Sequence, residues 1–292
     1  MNVIQATLSG ALIGGLYALM ATGLSVTWGV LRVINLAHFG LILVGAYLTF
    51  QIAVSWQIDP ILSLVVTVPA LFVAGAAIQW LFDKLRLSEF NSLLVSFGLL
   101  SITIQVVSNI WSADFQRMPA EINPYATGSV TLGRLVFPVT TLMAFGLALL
   151  VVVGAHLVLR RTFAGRAMRA MAQDPAVAGA FGVDHRRLSV LLGGVVGATA
   201  ALAGMVFALS NALTPETAYE WFGTVFAVVI LGGIGEVVGT FASGILVGVL
   251  SGVVAAVWSP ATAPFVLFSA IILALLLRPQ GLFTVAGAGG VR

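Results

Sequence analysis

Cysteine is absent from the 292 residues, which removes disulfides, thiolate metal sites and thiol nucleophiles together. Charge is almost absent too. Asp, Glu, Lys and Arg make up 8% of the chain against 60% hydrophobic residues, too little charge to clothe a soluble domain of this length. Lysine is reduced to Lys84, within Phe82-Asp83-Lys84-Leu85. No G-x-x-x-x-G-K-[ST] loop exists to cradle a nucleotide phosphate, so the sequence carries no ATP motor of its own. No set of His, Asp and Glu clusters at the expected inner surface, which argues against a membrane-embedded enzyme, a catalytic residue set or a metal site. The net charge of +3 and a pI near 9.8 reflect where basic loops sit relative to lipid, not a nucleic-acid surface.

What is present in quantity is glycine, 32 residues, and a mean hydropathy of +1.11. Small residues let membrane helices approach closely, so the composition reads as an all-α polytopic membrane protein. A charge at the bilayer centre costs roughly 2.5–3.5 kcal/mol, and charge-free runs of about 20 residues therefore mark the spans. About nine emerge: Val3–Leu31, Val33–Ile58, Ile61–Phe82, Phe90–Trp111, Leu135–Leu159, Leu188–Leu209, a short Phe222–Gly235, Val238–Trp258 and Ala261–Leu277. The first lacks a basic flank and reads as a retained span rather than a cleaved leader. Phe222–Trp258 as one helix would be about 55 Å long, far beyond a hydrocarbon core of about 30 Å. A break is expected around Gly232-Gly233-Ile234-Gly235-Glu236.

Basic residues accumulate in cytoplasmic loops. With the amino terminus outside and the carboxyl terminus cytoplasmic, the inner face receives Arg32, Lys84, Arg86, six arginines between Arg160 and Arg187, Arg278 and Arg292. Only Arg117 and Arg134 fall outside. The same topology accommodates an internal echo. At an offset of 183, Gly10, Gly14, Ala18 and Ala21 meet Gly193, Gly197, Ala201 and Gly204, and Phe39-Gly40 meets Phe222-Gly223. The first span then runs inward and the sixth outward, as an inverted repeat requires; small residues four apart also recur by chance in membrane helices. Inverted repeats build transporters with a site near the midplane.

Ion-coupled carriers keep carboxylates or histidines inside their spans. Here His38 and His156 lie near inner ends, and Glu216, Glu220 and Glu236 near ends or breaks, so the energy is expected from another polypeptide. The largest inner loop, residues 160–187, is where it would act. Asp174 suits a helix N-cap, Pro175 the first helical position, and Gly182 a left-handed terminus. The enclosed Ala176–Phe181 is too short to stand alone in water. A partner protein fits its small, apolar residues; anionic membrane lipid meeting Arg166 and Arg169, spaced i, i+3, is the other reading.

At these residues a resemblance becomes specific. Gly165-Arg166-Ala167-Met168-Arg169-Ala170-Met171-Ala172-Gln173-Asp174, with Ala178 and Gly182 beyond it, resembles the cytoplasmic coupling loop of permeases in branched-chain amino acid ABC importers of the LivH type. Ile13–Gly45, with Gly15-Leu16-Tyr17-Ala18-Leu19 and Gly29-Val30-Leu31-Arg32-Val33-Ile34-Asn35-Leu36-Ala37-His38, resembles that family's opening. Val228-Val229-Ile230-Leu231-Gly232-Gly233-Ile234-Gly235 and Arg278-Pro279-Gln280-Gly281-Leu282-Phe283 resemble its ending. Phe39-Gly40-Leu41 departs from it, where a small residue and an acid are usual. The resemblance implies a single transmembrane permease domain over residues 1–292, with half-repeats 1–134 and 188–292 around the 160–187 loop, in a bacterial-type inner membrane. It implies a second homologous permease subunit, two cytoplasmic ATPase subunits that use the ATP, and an extracytoplasmic substrate-binding protein, with no cofactor in this chain. Arg166, Arg169, Ala172, Asp174, Pro175, Ala178 and Gly182 would form the ATPase-coupling element.

The substrate pathway is thinly marked. Ser92, Ser96 and Thr103 share one face of the fourth span, and Ser101, Gln105 and Ser108 form a second stripe. Asn35, His38, Ser96, Thr103 and Gln105 are the pathway candidates. The plainer reading is that hydroxyls bond back to helix carbonyls or neighbouring helices and that His38 is interfacial. A mostly apolar conduit suits branched-chain amino acids, urea or short amides alike, and a stand-alone facilitator remains the alternative to an ATP-driven importer. The polar outer loop Ser112–Arg134 is the expected contact for a binding protein.

Overall fold

The computed structural model describes residues 3–278 and 281–283; Pro279, Gln280 and Arg292, drawn on above, lie outside the described residues. Backbone polar groups in hydrocarbon find no water, so the charge-free segments satisfy them internally as helices. In chain order these are α1 (Val3–Leu31), α2 (Ala37–Trp56), α3 (Leu64–Leu85), α4 (Glu89–Trp111), α5 (Val139–Arg161), α6 (Phe163–Gln173), α7 (Pro175–Ala180), α8 (His185–Ser210), α9 (Thr217–Gly232), α10 (Val237–Val257) and α11 (Ala263–Leu277). Single turns of 3-10 helix at Pro60–Ser63 and Pro260–Thr262 lead into α3 and α11, and a hairpin of β1 (Ser129–Leu132) and β2 (Leu135–Pro138) precedes α5. Among the described residues, eight helices are long and apolar enough to cross a membrane. At 16 residues, about 24 Å, α9 is the short ninth segment.

Close backbone approach through glycine organises the bundle. A Cβ at Gly10 would lie 2.5 Å from the carbonyl oxygen of Gly248, and Gly14 meets Gly244 in the same way, so α1 and α10 run antiparallel in direct contact. Between α3 and α8, Gly75 meets the carbonyl of Gly193 and the backbone of Gly197. Interhelical dispersion and packing, rather than expulsion of water, hold such contacts. α2 and α8 bury 72% and 67% of their most apolar stretches, against 17% for α5 and α11. The first pair therefore forms the interior and the second faces outward. Around them the fully buried Leu24, Phe39, Leu43, Tyr47 and Met205 form one continuous core.

The expected break is where the structure puts it. α9 ends at Gly232 and α10 starts at Val237, with Gly233 and Gly235 at φ +90° and +84°, angles that glycine adopts without a Cβ clash. Three boundaries differ from the hydropathy reading by four residues or more. Residues 135–138 pair with 129–132 in a hairpin closed at Gly133; Leu135-Val136-Phe137 is uniformly apolar and so merges with the fifth span in a hydropathy reading. Residues 33–36 are not helical; the N–H groups of Ile34 and Leu36 bond instead to the Ser92 and Ser96 hydroxyls, at 3.1 and 2.9 Å. α9 starts at Thr217, not Phe222, and so includes Glu220.

Candidate functional site

The segment between α5 and α8 is built from local capping. Thr162 opens α6 by accepting from the Gly165 N–H at 3.0 Å. Met168 turns inward among Val26, Val30, Val152, Leu192 and Val237, anchoring α6 beneath α1, α5, α8 and the start of α10. Asp174 then caps α7: its Oδ1 accepts from the N–H groups of Ala176 at 2.9 Å and Val177 at 3.0 Å. Pro175 occupies the first position, where no donor is missed. Gly182, at φ +84°, donates to Gly179 O at 2.9 Å, and Val183 donates to Ala178 O at 3.1 Å, the paired bonds of a Schellman terminus. Ala178 is buried, while Val177 and Phe181 stand 52% and 86% exposed and Phe163 of α6 76%. Arg166 lies over the Phe163 ring at 5.9 Å. Arg169 is exposed. Arg32, at the end of α1, donates to Ala172 O at 3.1 Å and so ties α1 to the turn that introduces α7.

At the other end of α5 lies the β1–β2 hairpin, 23 helical residues away, or about 35 Å. There the loop after α4 pairs with the segment after α8, Gln116 and Leu213 exchanging backbone bonds of 3.0 and 2.7 Å. Asn123, buried, donates to Leu209 O at 3.0 Å, and the Tyr125 hydroxyl donates to Asp59 Oδ2 at 2.7 Å. That bond, then burial and the Asp59 charge, hold the Tyr125 phenol above its ordinary pKa.

Beneath this cover opens a cavity of about 790 Å³, within the size range of small-molecule sites. α1 supplies Ile13, Leu16, Tyr17 and Met20, and α9 supplies Thr217, Glu220, Trp221 and Thr224; both sets follow the i, i+3, i+4, i+7 spacing of a single helix face. α5 adds Thr140, Thr141 and Ala144, and the outer loop adds Phe115, Arg117 and Asn123.

The five pathway candidates sit elsewhere. Ser96 bonds Leu36 N and Ile34 O, bracing the non-helical 33–36 segment. Thr103 bonds back to Leu99 O at 2.8 Å beside Gly40. Gln105 is exposed and donates to Asn109 at 3.0 Å. Asn35 is buried, and its Oδ1 has no partner. His38 is completely buried, its Nε2 3.0 Å from Met20 O and its Nδ1 without a partner. Gly23 leaves room for the ring, since a Cβ there would come within 2.5 Å of it. None of the five lines the cavity, but Met20 does, so His38 touches that lining through its carbonyl. Arg117, Tyr17 and Glu220, which the sequence does not mark as pathway residues, do line it. The signal for Glu220 was an acid inside an apolar helix, hidden once the span was started at Phe222.

Comparison with known proteins agrees with this architecture. Residues 6–277 match the family described as the permease component of branched-chain amino acid transport systems. The chain is 26% identical over 296 residues to the high-affinity branched-chain amino acid transport system permease protein BraD of Pseudomonas aeruginosa, covering 96% of this chain and 95% of the relative. It is 24% identical to the permease protein LivH of Escherichia coli, with 96% and 94% coverage. It is 28% identical over 253 residues to a probable LivH of Methanocaldococcus jannaschii, with 83% and 78% coverage. No solved structure matches. These relatives are named as transport permeases, not enzymes, and with the family matched over nearly the whole length, the chain belongs to the branched-chain amino acid transport permeases.

Proposed function

We propose that this chain is one permease subunit of an ATP-driven ABC importer of the inner membrane, passing branched-chain amino acids inward, with ATPase subunits seated on α7. The observation that carries the reading is α7 itself: six residues capped at both ends, too short to persist without tertiary support, presenting Val177 and Phe181 to solvent. Exposed apolar residues on an ordered, charge-poor turn favour a protein groove over lipid headgroups. Asp174, Pro175 and Gly182 shape the turn, Ala178 roots it, and Arg166 and Arg169 flank its base. Arg32 supports transmission, because its bond to Ala172 O links α7 to α1, whose Met20 lines the cavity.

ATP would bind only in the partner subunits. A second homologous permease would complete the path, and a binding protein would load the cavity across the 112–138 loop. Placing α7 in the cytoplasm sets the amino terminus outside and the carboxyl terminus inside, in keeping with the basic residues of the 160–187 loop. Shared contacts favour two half-repeats: Gly248 meets Gly10 O and the Gly14 backbone as Gly75 meets Gly193 O and the Gly197 backbone. Phe39 and its echo Phe222 touch, with ring centroids 5.8 Å apart. Branched-chain cargo rests on the names of the relatives.

Replacing Asp174 and Pro175 together by glycine removes the cap and the fixed first turn. The assembled transporter is expected to keep its subunits folded while ATP-dependent leucine uptake into vesicles drops about tenfold or more. Unaltered uptake by the variant contradicts the docking role, and uptake that never needs ATP favours a stand-alone facilitator.

A further inference from the structure

Between α3 and α8 runs a groove of about 400 Å³ that shares no residue with the large cavity. α3 lines it with Phe72, Ala76 and Trp80, four residues apart on one helix face, and α8 with Val190 and Leu191. Trp80 and Leu191 are exposed, so the groove opens to the surface of the bundle. Phe72 closes one end by lying where α8 has no side chain: a Cβ at Gly194 would come 2.6 Å from the ring. Arg186 and Arg187, in the first turn of α8, line the other end. Lys84 extends the α3 stripe by one more turn, its Nζ 4.8 Å from the centre of the Trp80 ring. Because Asp83 bonds Ser189 while Phe72 meets Gly194, the helices run antiparallel and the three cations gather at that same end.

The dimensions are those of one leaflet. Phe72 to Lys84 rises about 18 Å and Gly194 to Arg186 about 12 Å, against about 15 Å for half of a hydrocarbon core of about 30 Å. The cations also have little to neutralise them. Among the described residues, Lys84 and Arg186 form no ion pair, and Arg187 pairs only through its Nε, with Asp184 Oδ2 at 3.0 Å. The carboxylate of Asp83 is occupied elsewhere, accepting from Gln79 Nε2 at 2.9 Å and from the Ser189 hydroxyl. Arg186 and Arg187 stand at the positive end of the α8 dipole, where an anion is favoured and a cation is not.

We propose that this groove holds one anionic phospholipid, with its phosphate among Lys84, Arg186 and Arg187 and an acyl chain along Ala76, Trp80 and Leu191 toward Phe72. Basic pockets between spans take such headgroups, and a tryptophan at the boundary suits the level where headgroup meets chain. A soluble phosphate leaves the apolar stripe uncovered, and a partner helix would have to bring acids to the edge of the hydrocarbon. The site goes beyond the permease reading and holds whichever end of the bundle faces the cytoplasm; in the orientation proposed above it lies in the inner leaflet.

The test is tryptophan quenching in nanodiscs that carry the full-length chain in phosphatidylcholine, into which phosphatidylglycerol or phosphatidylcholine with brominated acyl chains is mixed. The Trp80 signal is the emission lost on Trp80→Phe, taken on each background. Brominated phosphatidylglycerol is expected to quench Trp80 at about one tenth of the mole fraction that brominated phosphatidylcholine requires. Arg186→Gln with Arg187→Gln is expected to abolish that preference, and Arg186→Lys with Arg187→Lys to keep it. Arg160→Gln with Arg161→Gln, the same loss of charge in the last turn of α5, is expected to keep it as well. Lys84→Gln, a single exposed change, is expected to weaken it and serves if the double glutamine variant does not fold. No preference in the wild type, no change on removing these cations, or an equal loss in the Arg160 and Arg161 variant overturns the proposal. A Trp80 that neither lipid reaches, because another protein surface covers it, overturns it too. Glycerol phosphate added in solution is expected to leave the preference intact; if it removes the preference, the groove takes a soluble anion and the lipid proposal falls.

Discussion

Single side chains set both ends of this molecule, and they do so through backbone groups that would otherwise lack partners. Asp174 satisfies two N–H groups of α7, and Ser92 and Ser96 satisfy two more where the chain is not helical. At the buried Ile34 and Leu36 a donor left without a partner would cost about 1–3 kcal/mol, and at the exposed start of α7 loss of the cap would cost about 0.5–2 kcal/mol. Tyr125 and Asp59 join the outer loop to the start of α3's leading turn. Because the Tyr125 pKa is raised on folding, the bond contributes fully below the ordinary phenol pKa of about 10 and is lost as pH climbs through the raised folded value. Absorbance titration of the wild type minus Tyr125→Phe is expected to give a tyrosinate midpoint above pH of about 10. A midpoint at or below that value contradicts the bond.

Among elements, the α1–α10 and α3–α8 crossings bear most of the architecture, and both depend on the absence of a side chain. Gly14→Leu would push a branched side chain into the Gly244 carbonyl and is expected to destabilise the bundle by about 1–3 kcal/mol, read as a lower unfolding temperature in detergent. The same substitution at Gly146 of α5, where nothing lies within 4 Å, is expected to have little effect; equal losses at both positions would contradict the packing account. These elements were legible to different degrees. Long spans and the Gly232–Glu236 break follow from hydropathy and length, and the α7 caps follow from interactions two to five residues apart. The hairpin was not legible, since Leu135-Val136-Phe137 is as apolar as the helix it precedes. The unwound 33–36 segment was not legible either, because what replaces its helical bonds comes from Ser92 and Ser96, about 60 residues away in sequence.

At the scale of the whole molecule, the cavity opens toward the hairpin end of α5 and the proposed handle lies at its other end, α5 itself being about 35 Å long. The handle was legible in one contiguous stretch of sequence. The cavity was not, because α1, the outer loop, α5, the end of α8 and α9 each contribute a few residues, and no spacing rule joins Tyr17 to Arg117 or Glu220. Of the five residues marked for a pathway, Ser96 braces the 33–36 segment, Thr103 and Gln105 bond within α4, and His38 reaches the cavity through the Met20 carbonyl. The central claim is that this chain moves its solute only when a separate ATPase works on α7. The direct measurement is leucine accumulation in vesicles containing the purified chain alone, compared with vesicles containing the chain with its ATPase, companion permease and binding protein under ATP. The account predicts accumulation above the outside concentration only in the complete assembly, and accumulation by the chain alone would contradict it.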